Sequence, residues 1–338
     1  MKPSVPAPAH GSAPRAIVRR AVAAFAGLAV LAACSATPTG TSDDHPAAVV
    51  PKPLNVVDPA AVPSPSPQPA CNPVASYRPP ATLPAPRRMP AGSTMARIVQ
   101  RGRLIVGIDQ NAYLLSYRDP TTGDLAGFEI DLAREISRAL FGDPDHVQYR
   151  HITTADRIPV LVKGEVDMVI RTITMNCTRW EQVNFSTEYL RARQKILVNK
   201  GSGITSIEDI AARHGKVCAT KGSTSIAKVA AIAGVVPVST DITLDCLVLL
   251  QQGQVDAVST NDTILLGVAA QDPGTEIVGP PMSSEPSGVG IPTKNVDLVR
   301  FVNGVLERYR SSGALGRSYQ RWLGALGPAP TPVAVYRD

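Results

Sequence analysis

A hydroxyl-rich loop that ends at an arginine is the part of the sequence best suited to chemistry. Thr172 and Thr174 follow a short apolar run at residues 166–170, and Arg179 lies seven residues beyond Thr172. The apolar run is typical of a strand covered on both faces of an α/β sheet, and ligands in such sheets bind at strand carboxyl ends. Arginine binds a carboxylate through two parallel hydrogen bonds, and threonine adds hydroxyl donors. These residues therefore predict a site for a small carboxylate.

A second stretch with anion-binding chemistry lies further along the chain. Residues 216–219 predict a strand, and the segment KGSTS at residues 221–225 opens the helix expected after it. Hydroxyls and free backbone N–H groups at a helix N-terminus attract anions, so Ser223 and Thr224 are predicted to contact the ligand's carboxylate. Capping of the helix is the alternative role for these two residues. The segment lacks the GxxxxGK[ST] spacing of a phosphate loop.

The elements that must position these loops follow an α/β pattern. Residues 104–109 form an apolar run that ends at Asp109, and residues 127–140 carry apolar side chains at nearly helical spacing. Residues 157–169 and 247–258 share a pattern in which a helix end is followed by Gly, any residue, Val and Asp. This correspondence indicates an internal duplication and therefore two lobes built on the same plan.

The stretch 166–189 resembles a segment of the amino-acid-binding proteins of ABC importers, the polar amino acid branch of solute-binding family 3. In that family a GITITxxR motif precedes a "dFS.pY" run, which is matched here by Phe185, Ser186 and Tyr189. The resemblance implies that Thr172 and Thr174 contact the ligand and that Arg179 holds its α-carboxylate. It continues to about residue 323.

The resemblance implies an α/β chain with the two-lobed type II periplasmic-binding-protein fold. Each lobe is then a mixed sheet flanked by helices, and the ligand cleft lies between the lobes. Two chain crossings, near residues 189–195 and 284–291, are expected to form a hinge that lets the lobes close over the ligand. The predicted boundaries are lobe 1 at 93–190, completed by 288–326, lobe 2 at 191–287, and a C-terminal tail at 327–338.

Further ligand contacts follow from the resemblance, and two of them stay open. Asp109 falls on a family contact position, and either Tyr113 or Tyr117 is expected to stack on the ligand. The family's ammonium-binding aspartate aligns with Asn261, which Asp262 follows directly. Because a buried ammonium needs a charged acceptor, we expect Asp262 to take this contact, with Asn261 adjacent.

Two arginines bear on specificity. Arg171 directly precedes Thr172, and Arg118 lies in the first loop; either is placed to meet a second carboxylate. This favours glutamate or aspartate as the ligand over glutamine or asparagine. The alternative for Arg171 is an outward, solvated charge.

The resemblance leaves three classes of function to compare. The first is a receptor that delivers an amino acid to an ABC permease, and the second is a sensor whose closed form signals to a membrane receptor. The third, a dehydratase-like enzyme on the same fold, is disfavoured because no Ser/His/Asp or Cys/His set is visible. We therefore expect a monomeric binding protein that uses no cofactor.

The N-terminus has the features of an export signal. Arg15, Arg19 and Arg20 precede an apolar run at residues 21–33 that ends in LAAC. This tetrapeptide resembles a bacterial lipobox, which implies removal of residues 1–33 and lipidation of Cys34. The protein is then expected on the outer face of the cell membrane, held by its lipid. A plain secretory signal is the alternative.

The net charge gives no support to nucleic acid binding. The signal region carries four of the 34 basic residues and no acidic one, so the remaining chain has 30 basic against 28 acidic residues, a net charge of +2. There is also no basic run interleaved with aromatics, which nucleic acid grooves usually need.

Proline dominates the segment that follows. Residues 35–90 hold 15 of the 31 prolines and show no periodicity of helix or strand. This composition predicts a disordered, lipid-anchored tether over residues 34–92, with the folded domain beginning near Ser93.

Lipidation of Cys34 leaves four cysteines in an oxidising compartment, where disulfides are expected. Of the three connectivities, we favour Cys71 with Cys177 and Cys218 with Cys246. A metal site is not expected, because no CxxC or HxxxH spacing exists.

Overall fold

The computed structural model describes residues 50–63, 67, 69–330 and 332–338. The predicted signal peptide and the predicted lipidation of Cys34 lie outside these residues. Pro51–Asp338 form one unit. Among the described helices, none has both the length and the apolar composition needed to cross a bilayer.

The helices are α1 Thr94–Arg101, α2 Phe128–Phe141, α3 Arg157–Val162, α4 Cys177–Trp180, α5 Ile207–Ala212, α6 Thr224–Ala230, α7 Thr243–Gln251, α8 Asp262–Gln271, α9 Val296–Ser311 and α10 Ala314–Leu323. The strands are β1 Ala75–Ser76, β2 Leu104–Ile108, β3 Asn111–Ala112, β4 Ser116–Arg118, β5 Leu125–Ala126, β6 Val147–His151, β7 Met168–Val169, β8 Val183–Phe185, β9 Leu190–Asn199, β10 Lys216–Thr220, β11 Val236–Thr240, β12 Ala257–Asn261, β13 Thr275–Ser287, β14 Gly290–Pro292 and β15 Val335–Tyr336.

Lobe 1 is built on a five-stranded mixed sheet with the order β6-β2-β7-β14-β8. Strands β2, β6 and β7 run parallel, so the chain segments that leave β2 and β7 emerge at the same edge. Helix α2 packs its apolar side chains into the core, where Ile130, Ala133 and Ile136 are fully buried. The helical spacing predicted for residues 127–140 is therefore confirmed. Each such aliphatic side chain contributes about 1.5–3 kcal/mol to folding when it is taken out of water.

Lobe 2 has its own five-stranded sheet, in the order β11-β10-β12-β9-β13. Its long strands β9 and β13 run antiparallel and carry the chain between the lobes, with Leu190 opposite Ser287. The predicted pair of crossings is thus present, and the two-lobed α/β fold is confirmed. Because both connections lie in one ribbon, rotation about this ribbon moves one lobe against the other.

Described residues of the predicted tether are ordered, which differs from the prediction of a disordered segment over residues 34–92. Val57 and Ser239 exchange backbone hydrogen bonds of 2.9 and 3.0 Å, so the N-terminal segment lies along the edge of β11. Strand β1 pairs in parallel with β15, which belongs to the predicted tail. An edge strand offers unpaired backbone groups, and a proline-rich segment can use them at single residues without any periodic pattern.

Both favoured disulfides are present. Cys71 pairs with Cys177 at a Cα–Cα distance of 5.8 Å, and Cys218 pairs with Cys246 at 5.5 Å. The first ties the N-terminal segment to lobe 1, and the second ties β10 to α7 within lobe 2. In the described part of the chain, no group of three or more acidic, histidine or cysteine side chains is arranged to hold a metal ion.

Candidate functional site

A cavity of about 40 Å³ lies between the two lobes. Lobe 1 lines it with Asp109, Asn111, Ala112, Tyr113, Glu129, Thr154, Arg157, Arg171, Thr172 and Thr174. Lobe 2 lines it with Thr220, Ser223, Thr224, Ser225, Ile242, Thr243, Leu244, Thr260, Asn261, Ile264, Val268 and Gln271. The walls are polar and charged on the lobe 1 side.

An ion pair forms part of the lobe 1 wall. Arg171 donates from Nη2 to Oδ2 of Asp109 at 2.6 Å and from Nη1 to the Thr154 hydroxyl at 2.8 Å. Both members of the pair are buried, with 5% and 11% of their side chains exposed. The alternative of an outward, solvated Arg171 is therefore wrong. Its buried Nε has no hydrogen-bond partner among the described residues, so one donor is free of intramolecular bonds.

Arg157 is the cleft residue that the sequence analysis did not single out. Its guanidinium donates to the carbonyl oxygens of Thr154 at 2.8 Å, Thr172 at 3.2 Å and Gly222 at 3.5 Å. No carboxylate of the described residues pairs with it, although only 5% of the residue is exposed. Burial, together with the charges of Arg179 and Arg171, lowers the pKa of Arg157 well below its usual value. The charge of Glu129 opposes this shift without forming an ion pair, so the wall holds a cation that no carboxylate of the described residues contacts, and a bound anion would supply that contact.

The sequence placed Arg157 in a segment that served another purpose. Arg157 begins α3 and is the first residue of the segment 157–169. The sequence analysis used this segment only as evidence of duplication. The sequence could not give the direction of the Arg157 side chain, because that direction depends on how α3 packs against the strand ends.

Glu129 is a second unanticipated cleft residue. Its carboxylate accepts hydrogen bonds from the Thr172 backbone N–H at 2.7 Å and from the Tyr189 hydroxyl, and 1% of the residue is exposed. Burial raises the pKa of Glu129, an effect that the two hydrogen bonds oppose. Two residues further along α2, Asp131 accepts from Ser318 and Trp322 of α10 and has a structural role. Glu129 thus fixes the backbone of the ligand loop.

Glu129→Gln should change how stability depends on pH. A carboxyl whose pKa is raised by folding stabilises the native state below its unfolded pKa, here 4.5, and this contribution is lost as pH rises through the folded pKa. Glutamine does not titrate and keeps an acceptor for Thr172. We therefore expect the free energy of unfolding of the variant, relative to the parent, to increase as pH rises above 4.5. Urea unfolding across this range measures it, and a difference that stays constant would contradict the expectation.

Arg179 lies beside the cavity rather than in its lining. It donates from Nη1 to the Thr174 carbonyl at 2.7 Å and from Nη2 to the Gly222 carbonyl at 3.4 Å. Burial lowers the pKa of Arg179 to about 10, and the charge of Glu285 opposes this shift. The carboxylate of Glu285 accepts from the hydroxyls of both Thr174 and Thr224, the latter at 2.8 Å. The residues predicted to hold the α-carboxylate are thus brought together across the two lobes.

The lobe 2 loop agrees with a combined capping and binding role. Ser223 caps α6 by accepting from the Ile226 N–H at 3.0 Å, and it also lines the cavity. Thr224, the first residue of α6, faces Thr174 with 3.3 Å between their hydroxyl oxygens. The cleft is therefore closed at this point by direct contact between the lobes.

Of Tyr113, Tyr117 and Arg118, only Tyr113 lines the cavity. Tyr113 lines the cavity, whereas Tyr117 packs edge-on between Tyr113 and Trp322, with ring centroids 4.8 and 6.2 Å away. Arg118 is exposed and donates to the Gly123 carbonyl of its own hairpin, so it does not line the cleft. Of the two arginines considered for a second carboxylate, Arg171 alone faces the cavity.

The carboxylate of Asp262 is directed away from the cavity. It accepts from the Nε and the backbone N of Arg193 on β9, each at 3.1 Å, whereas Asn261 lines the cleft. Asn261 ends β12, and Asp262 is the first residue of α8, so the chain turns between them. The expectation that Asp262 takes the ligand's ammonium does not match this geometry. Asp109 and Glu129 are the carboxylates that line the cleft.

Comparison with known proteins gives consistent matches to one family. Residues 104–325 match the family model described as bacterial extracellular solute-binding proteins, family 3. A glutamine-binding protein of an ABC transporter from Bacillus subtilis is 31% identical over 231 residues, which cover 68% of this chain and 84% of that protein. A glutamate-binding protein from Corynebacterium efficiens is also 31% identical, with 69% and 81% covered.

Solved structures are similar as well. An arginine-binding protein variant from T. maritima is similar with a TM-score of 0.63 and 29% identity, covering 68% of this chain and 99% of that one. An ancestral arginine-binding protein bound to glutamine has a TM-score of 0.60 and 34% identity, covering 66% and 99%. These relatives are named as binding proteins, and none of these names denotes an enzyme.

Proposed function

Because the chain belongs to the bacterial extracellular solute-binding proteins of family 3, we propose that it is a receptor for a polar L-amino acid. It holds the ligand between its lobes and delivers it to an ABC importer. Relatives named for glutamine and for glutamate support this substrate class. Glutamate or aspartate is favoured over glutamine or asparagine.

The observation that carries the choice of an acidic ligand is the unpaired guanidinium of Arg157. The charge of Arg171 is already balanced by its ion pair with Asp109. Arg157, in contrast, has only carbonyl oxygens as hydrogen-bond partners. Leaving a buried charge without a counter-ion costs several kcal/mol, so an anionic side chain gains most by binding there. A neutral amide would supply an acceptor but no charge.

The α-carboxylate and the α-ammonium have separate partners in this proposal. Arg179, Thr174 and Thr224 serve the carboxylate, which takes the place of the Glu285 carboxylate at the two threonine hydroxyls. Thr172 and Ser223 lie beside them. Asp109 serves the ammonium with Asn261, since both line the cavity, whereas the Asp262 carboxylate is directed away from it. Ligand contacts to both lobes then stabilise the closed form, because a ligand shifts a conformational equilibrium only by its differential affinity for the two states.

As a member of an extracellular family, the protein works outside the cytoplasmic membrane. We further propose that a lipid on Cys34 anchors it to the outer face of that membrane, as the LAAC sequence supports. Its membrane partner is an ABC permease, and the binding unit is a monomer.

Calorimetric titration of residues 51–338 against the amino acids tests the proposal. The protein is first unfolded and refolded to remove any bound ligand. We expect one-to-one binding of L-glutamate or L-aspartate, with weaker binding of the amides. If no amino acid binds, the proposed function is wrong.

Arg179→Ala should weaken binding of every α-amino acid by about tenfold to a hundredfold. Hydrogen bonds to charged groups contribute about 1.5–3 kcal/mol, and tenfold in affinity corresponds to about 1.4 kcal/mol. Arg118→Ala is the matched control, because that arginine is exposed and lies outside the cavity. If the two variants bound the ligand with equal affinity, Arg179 would not be a ligand-binding residue.

A further inference from the structure

We propose that two segments on either side of the matched residues 104–325 act as a brace that positions α4 and, through it, Arg179. The brace consists of residues 71–77 and 335–338. The proposal rests on the proposed function, since it assigns Arg179 to the ligand's carboxylate. It adds positioning residues for the binding site that lie outside the family match at residues 104–325.

Helix α4 needs outside support because it is a single turn of four residues. Helices this short are not stable alone, since nucleation fixes several residues for each hydrogen bond gained. Its first residue, Cys177, is bonded to Cys71. Its last residue, Trp180, donates from Nε1 to the Pro73 carbonyl at 2.8 Å. Both ends of the turn are therefore attached to the N-terminal half of the brace.

The C-terminal half of the brace holds the same tryptophan from its face. The guanidinium carbon of Arg337 lies 3.8 Å from the ring centroid of Trp180, close enough for a cation–π interaction. Arg337 also donates to the Ala75 carbonyl at 3.0 and 2.7 Å, and Tyr77 packs edge-on against Trp180. The pairing of β1 with β15 holds these partners in register.

The position of α4 decides where the Arg179 guanidinium lies. Arg179 immediately precedes Trp180, and its own backbone N–H is fixed by the Asn176 side chain at 2.9 Å. Hydrogen bonds weaken steeply when their geometry is lost, so a small displacement of the turn weakens the contacts that Arg179 makes. Loosening the brace should therefore lower ligand affinity without touching the cavity.

Arg337→Ala tests the brace in calorimetric titrations with L-glutamate and L-aspartate. We expect affinity to fall about threefold to tenfold, with most of it restored in Arg337→Lys, which keeps a cation over the ring. Arg321→Ala is the matched control, since Arg321 stacks on Trp322 at 5.4 Å on another part of lobe 1. Equal affinity of the Arg337→Ala variant and the parent would overturn the proposal.

A double-mutant cycle separates positioning of Arg179 from a general structural role. If the brace acts through Arg179, Arg337→Ala should cause no further loss of affinity in an Arg179→Lys background. An undiminished loss in that background would overturn the proposal.

Hydrogen exchange tests the brace even if no amino acid binds. In the unliganded protein, amides of residues 177–185 should exchange faster in Arg337→Ala than in Arg321→Ala. Unchanged exchange would refute the brace, whereas failure of all amino acids to bind would refute the proposed function.

Discussion

Gly267→Ala should leave the protein folded and yet weaken its binding of an amino acid by about a hundredfold. Gly267 lies inside α8 of lobe 2, where a Cβ atom would stand 2.3 Å from the backbone oxygen of Tyr113 in lobe 1. Tyr113 lines the cavity, so this is a point at which closing lobes meet. The backbone at Tyr113 cannot move by the roughly one ångström needed to relieve this contact. The added methyl group would therefore stop the lobes before full closure.

The size of the effect follows from what closure contributes. If the lobes cannot close, the ligand loses its contacts to lobe 2, including the charge-assisted hydrogen bonds that we propose from Thr224 and Ser223. Two such bonds contribute about 3 kcal/mol or more, which corresponds to about a hundredfold in affinity. Folding should not suffer, because alanine is favoured over glycine inside a helix by about 1 kcal/mol.

Calorimetry and thermal unfolding distinguish this effect from a folding defect. Gly316→Ala is the matched control, since Gly316 also lies in a helix and a Cβ there would have nothing within 4 Å. We expect both variants to unfold at or above the temperature of the parent, and the Gly267 variant alone to lose affinity. Parental affinity in Gly267→Ala would show that closure tolerates the added methyl group.

The elements predicted best from the sequence are those specified by the pattern of residues within the element itself. The apolar spacing of residues 127–140 is the buried face of α2, and the first helix, α1, begins directly after Ser93. The loop that begins at Thr172 follows β7, as its buried-strand pattern required. In each case the structure is determined by interactions between residues close in sequence, so it can be predicted without the tertiary structure.

The parts that the sequence did not reveal depend on contacts between distant residues. Asn261 and Asp262 are adjacent, and only the turn from β12 into α8 decides which of them faces the cleft. Glu129 binds the backbone of Thr172, which is 43 residues away. The N-terminal segment docks through single backbone bonds such as that of Val57, which leave no pattern in a proline-rich sequence.

Arg157→Gln should reverse the preference between acidic amino acids and their amides. We expect binding of L-glutamate and L-aspartate to fall by about a hundredfold or more, because removing one partner of a buried charge pair costs about 2–5 kcal/mol. Binding of L-glutamine and L-asparagine should change by less than about threefold, since a neutral side chain gains little from the lost charge. Calorimetric titration of all four ligands into parent and variant measures the ratio of the affinity for each acid to the affinity for its amide.

Arg150→Gln is the matched control for this experiment. Arg150 is an exposed arginine on the neighbouring strand, and it pairs with Glu165 at 2.6 Å on the surface of lobe 1. A surface ion pair contributes little, so this variant should keep the parental affinities. An equal loss for acids and amides in Arg157→Gln would mean that Arg157 supports the loop at Thr172 through its carbonyl contacts. A loss confined to the acids would mean that the uncompensated charge itself selects the ligand, because glutamine at position 157 still has an amide donor for the same carbonyls.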